Sequence, residues 1–595
     1  MNRPKPQDDY YTYINYKWLN STKIPEEFSS YNNFTILREK MIIILKDLIL
    51  KEPNILGKFY SSGVKYKRNI SQLERLISQI NKLDIIDSMV LLNKYNLSSP
   101  LNIGVCVDTK SSENYTICLS QSGLGLPYRY YTLEEMDILI KYYHLIENIL
   151  SKILKKKINI NKIFEIEIKI AKISLSPEEQ MDIEKTYNPM SINELKEKYS
   201  KINWDKLLKD YNIHSKIIVE SPEYLNKLQN ILEGNKDDLK LYFIWNLIRG
   251  LSSYLTDDII NIFFLFYGKI LQGKKKRKSI DKEVVYMIES LLSDFLCMEF
   301  KKLEMINSND IKYVTDLSYK IKEKYNDVLN SFNWLTGETK QKALQKLKTL
   351  GIKVGYPEEY DDYSNFILPS NDNYLLNVLY INEYHFNKYK NKYNNKIKVN
   401  KKLWYMNSFE VNAAYIPSNN EIILPAAVLL EPFYSSKFED VQNYAGIGTF
   451  IGHEIMHAFD THGSKFDENG NFNDWWSKKD LEEYEKMSEK LVEQYNNYQL
   501  NGELTLGENF ADIFGFKIAF DLCKNQNKEK FYKHYALSNR ELQTQEHLKL
   551  QIATDPHAPS KWRVNGVLSN LKEFYLDYNI KENDNMYLAE NKRFL

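Results

Sequence analysis

Apolar residues recur at three- and four-residue intervals through most of the first 390 positions of the chain. This spacing places them on one face of a helix, so it predicts a series of amphipathic helices. The clearest predicted helices span residues 36–50, 71–90, 133–154, 239–255 and 283–303. The apolar stretch over 242–271 is interrupted by Arg249, Asp257 and Asp258, which favours a buried helix over a membrane span.

Short strand-like runs interrupt this helical pattern. Residues 103–108 and 115–120 are β-like and flank the polar segment 110–114, so together they predict a β-hairpin. Residues 421–425 form another strand-like run, which lies directly before a stretch rich in apolar residues and histidine. The strands are few, and the sequence therefore predicts a mainly α fold with minor β.

The chain has 595 residues, of which 43% are hydrophobic. This length and composition are sufficient for more than one packed core. The pattern of apolar residues changes near residue 400, where the long helical patterns end and the strand-like run at 421–425 follows. We therefore predict two domains, a mostly helical N-terminal domain over residues 1–395 and a C-terminal domain over residues 396–595.

The charge of the chain is balanced, with 80 basic and 79 acidic residues. Such a balance argues against a surface built to bind nucleic acid. One basic run, Lys-Lys-Lys-Arg-Lys at 274–278, stands out from this background. We interpret it as a solvated loop, with a localisation or phosphate-binding patch as the alternative.

Cysteine usage and the N-terminal segment bear on where the protein works. The cysteines are few and widely spaced, so we expect neither a cysteine metal site nor a disulfide framework. No apolar segment opens the chain, which predicts that there is no signal peptide and no membrane insertion. The expected location is the cytoplasm, and export by a route without a signal peptide stays open. The cysteines are Cys106, Cys118, Cys297 and Cys523.

The strongest chemical signal is His-Glu-x-x-His at His453, Glu454 and His457. A helix turns by about 100° per residue, so the two histidines share one face. Two neutral imidazoles at that spacing can occupy two corners of a tetrahedral Zn²⁺, with Glu454 beside them to reach a water molecule. The alternative is that both histidines merely pack on a buried helix.

A third ligand is required, and Glu508 is the best candidate. Asp512 follows four residues later, so on a helix the two carboxylates share a face. We predict that Glu508 binds the metal, that Asp512 orients one histidine and that Asp460 orients the other. The alternative for Glu508 and Asp512 is a solvated helix face, although their neighbours are apolar.

These residues resemble the neprilysin-like family of zinc metallopeptidases. Residues 452–460 match its metal helix and 507–512 its third-ligand helix. Residues 411–415 look like its substrate-binding edge segment, and 555–566 like its late His…Arg motif. The chain is most similar in character to the soluble, cysteine-poor bacterial oligopeptidases of that family. It departs from the family at its end, where Arg-Phe-Leu stands in place of a tryptophan-containing tail.

The resemblance implies a zincin-type architecture in which a helical lid encloses a thermolysin-like catalytic domain with one Zn²⁺. It also implies roles that spacing alone does not give. His557 would stabilise the oxyanion and Arg563 would bind a substrate carbonyl, whereas from the residues alone His557 reads as structural and Arg563 as a surface or ion-pair residue. Asp512 would also take part in catalysis as a proton donor. Residues implied to bind the substrate are Asn412 and Ala413 along its backbone, and Val428, Phe433 and Phe450 around the side chain after the scissile bond.

We therefore expect a zinc endopeptidase that acts on oligopeptides, prefers a hydrophobic residue directly after the scissile bond, and is a monomer. One alternative is a non-catalytic peptide-binding protein that keeps the fold, although degenerate sites usually lose the general base or a ligand. Another is a protease that acts on large proteins, as other enzymes with this motif do.

Overall fold

The computed structural model describes residues 3–51, 54–132, 135–361, 363, 365–523 and 526–595. Helices account for 59% of the residues and strands for 8%, which confirms the mainly α fold with minor β. Among the described residues, none of the helices combines the length and the apolar character that crossing a bilayer requires.

The helices of the first half of the chain are α1 (Tyr10–Ser21), α2 (Asn33–Lys51), α3 (Ile55–Val64), α4 (Ser71–Lys82), α5 (Ile85–Lys94), α6 (Tyr128–Thr132), α7 (Met136–Leu154), α8 (Asn161–Ile173), α9 (Pro177–Met181), α10 (Ile183–Thr186), α11 (Ile192–Lys198), α12 (Trp204–Leu207), α13 (Pro222–Leu232), α14 (Lys236–Leu251), α15 (Asp257–Phe263), α16 (Ile280–Leu291) and α17 (Ser293–Lys301).

The remaining helices are α18 (Ser308–Ser331), α19 (Gly337–Thr349), α20 (Tyr374–Asn394), α21 (Asp440–Asn443), α22 (Thr449–Met456), α23 (Lys478–Asn497), α24 (Leu506–Leu522), α25 (Lys528–Ser538), α26 (Gln545–Thr554), α27 (Ser560–Leu568) and α28 (Lys572–Tyr578). Two π-helical turns, Phe264–Ile270 and Tyr444–Gly448, follow α15 and precede α22.

The strands form three small sheets with the orders β1-β9, β2-β3-β5-β4 and β6-β8-β7. In the third sheet β6 lies parallel to β8 and β7 antiparallel to it, so β7 is an edge strand. The strand-like run at 421–425 is confirmed as β8. The strands are β1 (Ser30–Asn32), β2 (Leu101–Asp108), β3 (Ser111–Gln121), β4 (Asn188–Met190), β5 (Ile217–Val219), β6 (Gly351–Gly355), β7 (Ala414–Ile416), β8 (Glu421–Pro425) and β9 (Glu541–Gln543).

The predicted helices are present, but three of the predicted segments are divided in the structure. The segment predicted over 71–90 becomes α4 and α5, because Asp84 caps the second helix by accepting a hydrogen bond from the Asp87 amide at 2.9 Å. The segment over 283–303 breaks at Leu292 into α16 and α17. The apolar stretch over 242–271 includes the end of α14, all of α15 and a π-helical turn. Leu133, at the start of another predicted helix, lies outside the described residues.

The buried apolar side chains form two clusters. The first draws on residues 10–60 and 284–586, and the second on residues 73–271 together with one face of α20. We call the elements packed on the first cluster the body, and those from α4 to the π-helical turn at 264–270 the lid. The first cluster therefore joins residues from both predicted domains, and the boundary near residue 395 stays a prediction.

The N-terminal helices belong to the body because their polar groups bond to its C-terminal part. Asn15 donates a hydrogen bond to the carbonyl of Ala536 at 2.8 Å, and Asn565 accepts one from the Tyr11 amide at 2.9 Å. Strand β1 also pairs with β9. These contacts join residues more than 500 positions apart, so local patterns in the sequence do not predict them.

The predicted hairpin is confirmed as β2 and β3, which pair antiparallel from Leu101 opposite Gln121. One expectation is corrected here, because Cys106 and Cys118 form a disulfide. Cys106 lies opposite Thr116 and Cys118 opposite Gly104, so the fold-back of the hairpin makes the two cysteines diagonal neighbours. Cys297 and Cys523 are buried thiols.

Candidate metal centre

The centre lies where α22 crosses α24. Glycines at the crossing let the two backbones touch, since a Cβ atom on Gly452 would stand only 2.8 Å from the Cα atom of Gly515. A Cβ atom on Gly515 would stand 2.5 Å from the amide nitrogen of His453. The close approach places the first turn of α24, which carries Glu508, against the face of α22 that carries His453.

The three predicted ligands come together at this crossing. Glu508 Oε2 lies 3.1 Å from His453 Nε2 and 3.7 Å from His457 Nε2. The two Nε2 atoms are 3.0 Å apart. His457 directly follows the last residue of α22, so the helical spacing of the motif is kept through the C-terminal turn. One ligand atom from each of the three residues lies within 4.8 Å of the others.

Two further carboxylates hold the imidazole rings. Asp512 Oδ1 lies 2.9 Å from His453 Nδ1, and Asp460 Oδ2 lies 2.7 Å from His457 Nδ1. A carboxylate accepts a hydrogen bond from the ring nitrogen that carries the proton, so each neutral ring has its lone pair on Nε2. Asp460 is itself fixed, because its Oδ1 accepts hydrogen bonds from the amides of His462 and Gly463 at 2.9 and 2.6 Å.

This donor set fits a divalent metal ion. With both neutral rings protonated on Nδ1, three lone-pair atoms face one another, and a cation between them removes the repulsion. Burial lowers the pKa of His453, but hydrogen bonds to Asp512 and Glu508 outweigh it and raise the pKa to about 10. The pocket therefore favours positive charge, which a metal ion supplies in place of protons. Two imidazoles and one carboxylate are the ligand types of catalytic zinc sites.

Glu454 lies beside the cluster without a structural role of its own. Its side chain is buried at 7% exposure and lines the cavity that opens onto the ligands. It has no hydrogen-bond or ion-pair partner within the part of the chain that the structure describes. A buried carboxylate in this situation is available to a water molecule or a substrate group.

Arg563 and Asp512 form a bidentate ion pair behind His453. The Arg563 guanidinium donates from Nε to Asp512 Oδ2 at 2.7 Å and from Nη2 to Oδ1 at 2.6 Å. Both oxygens of Asp512 are thus occupied, and the residue does not line the cavity, although Arg563 does. This geometry favours the orienting role of Asp512 over the predicted proton-donor role.

His557 extends toward the cluster from the segment that follows α26. Its Nε2 lies 3.2 Å from Glu508 Oε2 and its Nδ1 lies 2.9 Å from Asp555 Oδ1. The half-exposed ring is therefore held by Asp555 with its other nitrogen directed into the site. This is the orientation that an oxyanion-stabilising histidine requires.

The cavity at the centre has a volume of about 430 Å³ and brings most of the predicted substrate residues together. Asn412 and Ala413 line it, directly before the edge strand β7. Phe450 also lines it, whereas Val428 and Phe433 are completely buried and do not line it. The ring of Phe450 lies 4.9 Å from that of Phe433, so these two predicted residues are in contact.

The sequence analysis missed several lining residues, and two of them come from segments far from its motifs. Phe34, on α2, packs 4.6 Å from the ring of Phe433 and 5.6 Å from that of Phe450. Met181, on α9 of the lid, also lines the cavity, and its carbonyl lies 3.3 Å from His462 Nδ1. Neither residue belongs to a motif, so only the folding of distant segments onto the centre reveals them.

Comparisons with known proteins agree with this geometry. Two models, each described as peptidase family M13, match residues 6–357 and 412–594. The endothelin-converting enzyme homolog of Locusta migratoria is 27% identical over 96% of this chain and 88% of its own length. The neutral endopeptidase of Lactococcus lactis subsp. lactis (strain IL1403) is 27% identical over 99% of each chain.

A solved structure also resembles the whole chain. Zinc metalloprotease Zmp1 of Mycobacterium tuberculosis, in complex with an inhibitor, has a TM-score of 0.94 at 26% identity and covers 100% of this chain and 98% of its own. The same metalloprotease in its open state has a TM-score of 0.70, again at 26% identity, with 99% of each chain covered. From the family models and the metal cluster together, the chain belongs to peptidase family M13 and is a zinc-dependent metalloendopeptidase.

Proposed function

We propose that the protein hydrolyses oligopeptides in the cavity at the metal centre and prefers a hydrophobic residue directly after the scissile bond. The observation that carries this proposal is the pairing of a complete ligand set with an unpartnered carboxylate. His453, His457 and Glu508 converge at one point, and Glu454 lies beside them on the cavity wall.

Each protein group has a defined task in the proposed reaction. When bound, Zn²⁺ supplies Lewis-acid chemistry, which polarises a carbonyl oxygen and acidifies water. Glu454 takes the proton of the attacking water on a carboxylate oxygen and later delivers it to the nitrogen of the leaving amine. In its doubly protonated form, with Nδ1–H bonded to Asp555, His557 donates from Nε2 to the oxygen on which negative charge develops. Asp512 and Asp460 keep both ligand rings oriented while this charge moves.

The substrate backbone is proposed to lie along the edge of the third sheet. Strand β7 has β8 on one side only, so its other edge can hydrogen-bond to an extended peptide. Asn412 and Ala413, directly before β7, line the cavity and are placed to bind the same backbone. Arg563 keeps Nη1 outside its ion pair with Asp512, which leaves that nitrogen for a substrate carbonyl.

The side-chain preference follows from the aromatic group next to the centre. Phe34, Phe433 and Phe450 form a contiguous apolar surface, and two of them line the cavity. Burying an apolar side chain against such a surface contributes about 1.5–3 kcal/mol, while a charged side chain would lose its hydration there.

Mapping of cleavage sites in a random peptide library tests this proposal. We expect Phe, Leu, Ile, Val and Met to be enriched directly after the cut, and Phe450→Ala to weaken that enrichment. A parallel sample of Glu454→Gln and a chelator-treated sample give the background. Cleavage by the wild type without any hydrophobic enrichment at that position would contradict the proposed preference.

A further inference from the structure

One buried lysine of the body has no part in the chemistry described so far. Lys346 lies on α19, is only 1% exposed and does not line the cavity at the metal centre. Within the described part of the chain, no carboxylate accepts a hydrogen bond from its ammonium group. Lysine side chains are almost never fully buried without a partner, so this charge requires another kind of compensation.

Three backbone carbonyls surround the ammonium group of Lys346. It donates hydrogen bonds to the carbonyls of Ala458 at 2.7 Å, Gly463 at 2.5 Å and Phe466 at 2.7 Å. Three acceptors use all three N–H donors of an ammonium group. The acceptors all belong to the segment shortly after α22, so one side chain holds the residues from 458 to 466 together.

The segment held by Lys346 carries Asp460, the carboxylate next to the metal ligand His457. Gly463 bonds to both partners, since its amide donates to Asp460 Oδ1 at 2.6 Å and its carbonyl accepts from Lys346. Asp460 Oδ2 lies 2.7 Å from His457 Nδ1. A chain of contacts therefore runs from Lys346 through Gly463 and Asp460 to the ligand ring of His457.

The same segment packs tightly against the end of α22. A Cβ atom on Gly463 would stand only 1.7 Å from the carbonyl oxygen of His457, so the backbone folds back closely on the helix. Carbonyl groups at the C-terminal end of a helix lack helical partners and carry partial negative charge. A cation bonded to the carbonyl of Ala458, two residues beyond α22, therefore stabilises this arrangement.

The surroundings of Lys346 favour its charged form, although burial opposes it. Burial lowers the pKa of Lys346 to about 7, and the negative charges of Asp460, Asp467 and Glu468 act in the opposite direction. A neutral amine has only two N–H donors and would leave one of the three carbonyls without a partner. The ammonium form is therefore the one that completes the hydrogen bonds of the segment.

The backbone of Lys346 is fixed from another side. Its carbonyl accepts a hydrogen bond from Asn420 Nδ2 at 3.0 Å. Asn420 Oδ1 in turn accepts one from the hydroxyl of Tyr415, on β7, at 3.1 Å. Lys346 is thus tied to the third sheet, which makes its ammonium group a fixed point for the segment after α22.

We infer that Lys346 is a positioning residue for the metal centre. Its ammonium group holds the segment that carries Asp460, and Asp460 keeps the proton of His457 on Nδ1, with the lone pair on Nε2. The inference rests on the orienting role of Asp460 proposed above. Without the ammonium group, three buried carbonyls lose their donor, so the segment shifts and the ligand ring loses its fixed orientation.

A double-mutant cycle on zinc affinity tests this inference. Competition with a chromophoric chelator, at one pH, measures the affinity of wild type, Lys346→Met, Asp460→Asn and the double variant. Lys346→Met should bind zinc about tenfold more weakly, as expected for the loss of a group that orients a ligand. The double variant should stay within about twofold of the weaker single variant, because the lysine acts through Asp460.

Lys322→Met is the matched control. The ammonium group of Lys322 also donates to backbone carbonyls, those of Lys348 and Leu350 at 2.9 Å, but neither belongs to the segment after α22. This variant should lose stability without losing zinc affinity. Thermal melts of the metal-free proteins record that stability, so a purely structural role of Lys346 would lower its melting temperature and leave zinc affinity unchanged.

Lys346→Gln keeps the test decisive if Lys346→Met does not fold, because its amide retains two N–H donors without the charge. It should also weaken zinc binding and be coupled to Asp460→Asn. The inference is overturned if the folded lysine variant binds zinc as Lys322→Met does, or if its effect and that of Asp460→Asn multiply fully in the double variant. Unchanged zinc affinity in Asp460→Asn would overturn it as well, and that result alone would also contradict the role proposed for Asp460.

Discussion

Asp512 joins two parts of the metal centre that lie far apart in the sequence. One of its oxygens accepts from His453, and both accept from Arg563, which is 51 residues away. Burial alone would raise the pKa of Asp512, but the guanidinium of Arg563 outweighs it and lowers the pKa to about 2. The carboxylate therefore stays ionised and keeps the ligand ring of His453 in its metal-binding tautomer.

Replacing this carboxylate tests its orienting role. Asp512→Asn keeps the size of the side chain but removes its charge, so zinc affinity should fall by about 10–100-fold. Asp521→Asn is the matched control, since Asp521 lies on the same helix and pairs with Lys517 at 2.5 Å on a partly exposed face. Competition with a chromophoric chelator measures both affinities. Equal zinc affinity in the wild type and Asp512→Asn would contradict the assigned role.

The sequence predicted the residues of the centre whose function requires a fixed spacing. His453 and His457 follow the helical repeat, and Glu508 and Asp512 repeat it on a second helix. Phe34 and Met181 could not be predicted. From the sequence alone, an apolar residue on a helix is interpreted as a core residue, whether the folded helix packs in the core or beside the cavity. The disulfide between Cys106 and Cys118 shows the same limit. It depends on how β2 and β3 align in the hairpin, which the number of residues between the two cysteines does not determine.

At the scale of elements, the centre depends on the crossing of α22 and α24. Besides the short distance to the His453 amide, a Cβ atom on Gly515 would lie 2.7 Å from the carbonyl of Thr449. These neighbours are backbone atoms, which cannot move away by a change of rotamer as a side chain can. Any side chain at position 515 must therefore push the two helices apart. His453 lies on α22, His457 directly follows it, and Glu508 lies on α24. Separating the two helices would therefore move Glu508 away from both histidines.

Gly515→Ala should therefore lower both stability and zinc affinity. Overpacking of this kind costs about 1–3 kcal/mol, which a thermal melt of the metal-free protein would detect. Gly448→Ala is a matched control near the start of α22, because its Cβ would lie no closer than 3.4 Å to its neighbours. If Gly515→Ala and Gly448→Ala have the same zinc affinity and the same melting temperature, the close crossing of α22 and α24 is not required for the metal centre.

At the scale of the whole molecule, the lid touches the body next to the metal centre. Lys465 of the body pairs with Asp182 and Glu184 of the lid at 3.2 and 3.0 Å. Asn501 donates to Glu178 at 2.8 Å, and the tip of the β2–β3 hairpin bonds to Asn471 through the Ser112 amide at 2.8 Å. These contacts hold the lid against the body beside the cavity, which the lid residue Met181 also lines.

A closed cavity should select substrates by size. We expect the rate constant per scissile bond to fall sharply as one cleavage site is embedded in longer peptides, then in an unfolded protein and then in a folded domain. Initial rates for such a nested series measure the effect, and the shared site serves as the internal control. A long unfolded chain that is cut as fast as the shortest peptide would contradict the enclosed-chamber model and leave the zinc chemistry unaffected.

The most direct test of the account is to measure bound zinc and peptide turnover in the same samples of wild type, Glu454→Gln and Glu508→Ala. The wild type should bind a single zinc ion and turn over peptide. Glu454→Gln should keep the zinc and lose activity by about 10²–10⁴-fold, since it lacks the general base. Glu508→Ala should lose both. Full zinc occupancy in Glu508→Ala, or more than about a tenth of wild-type turnover in Glu454→Gln, would contradict the assignment.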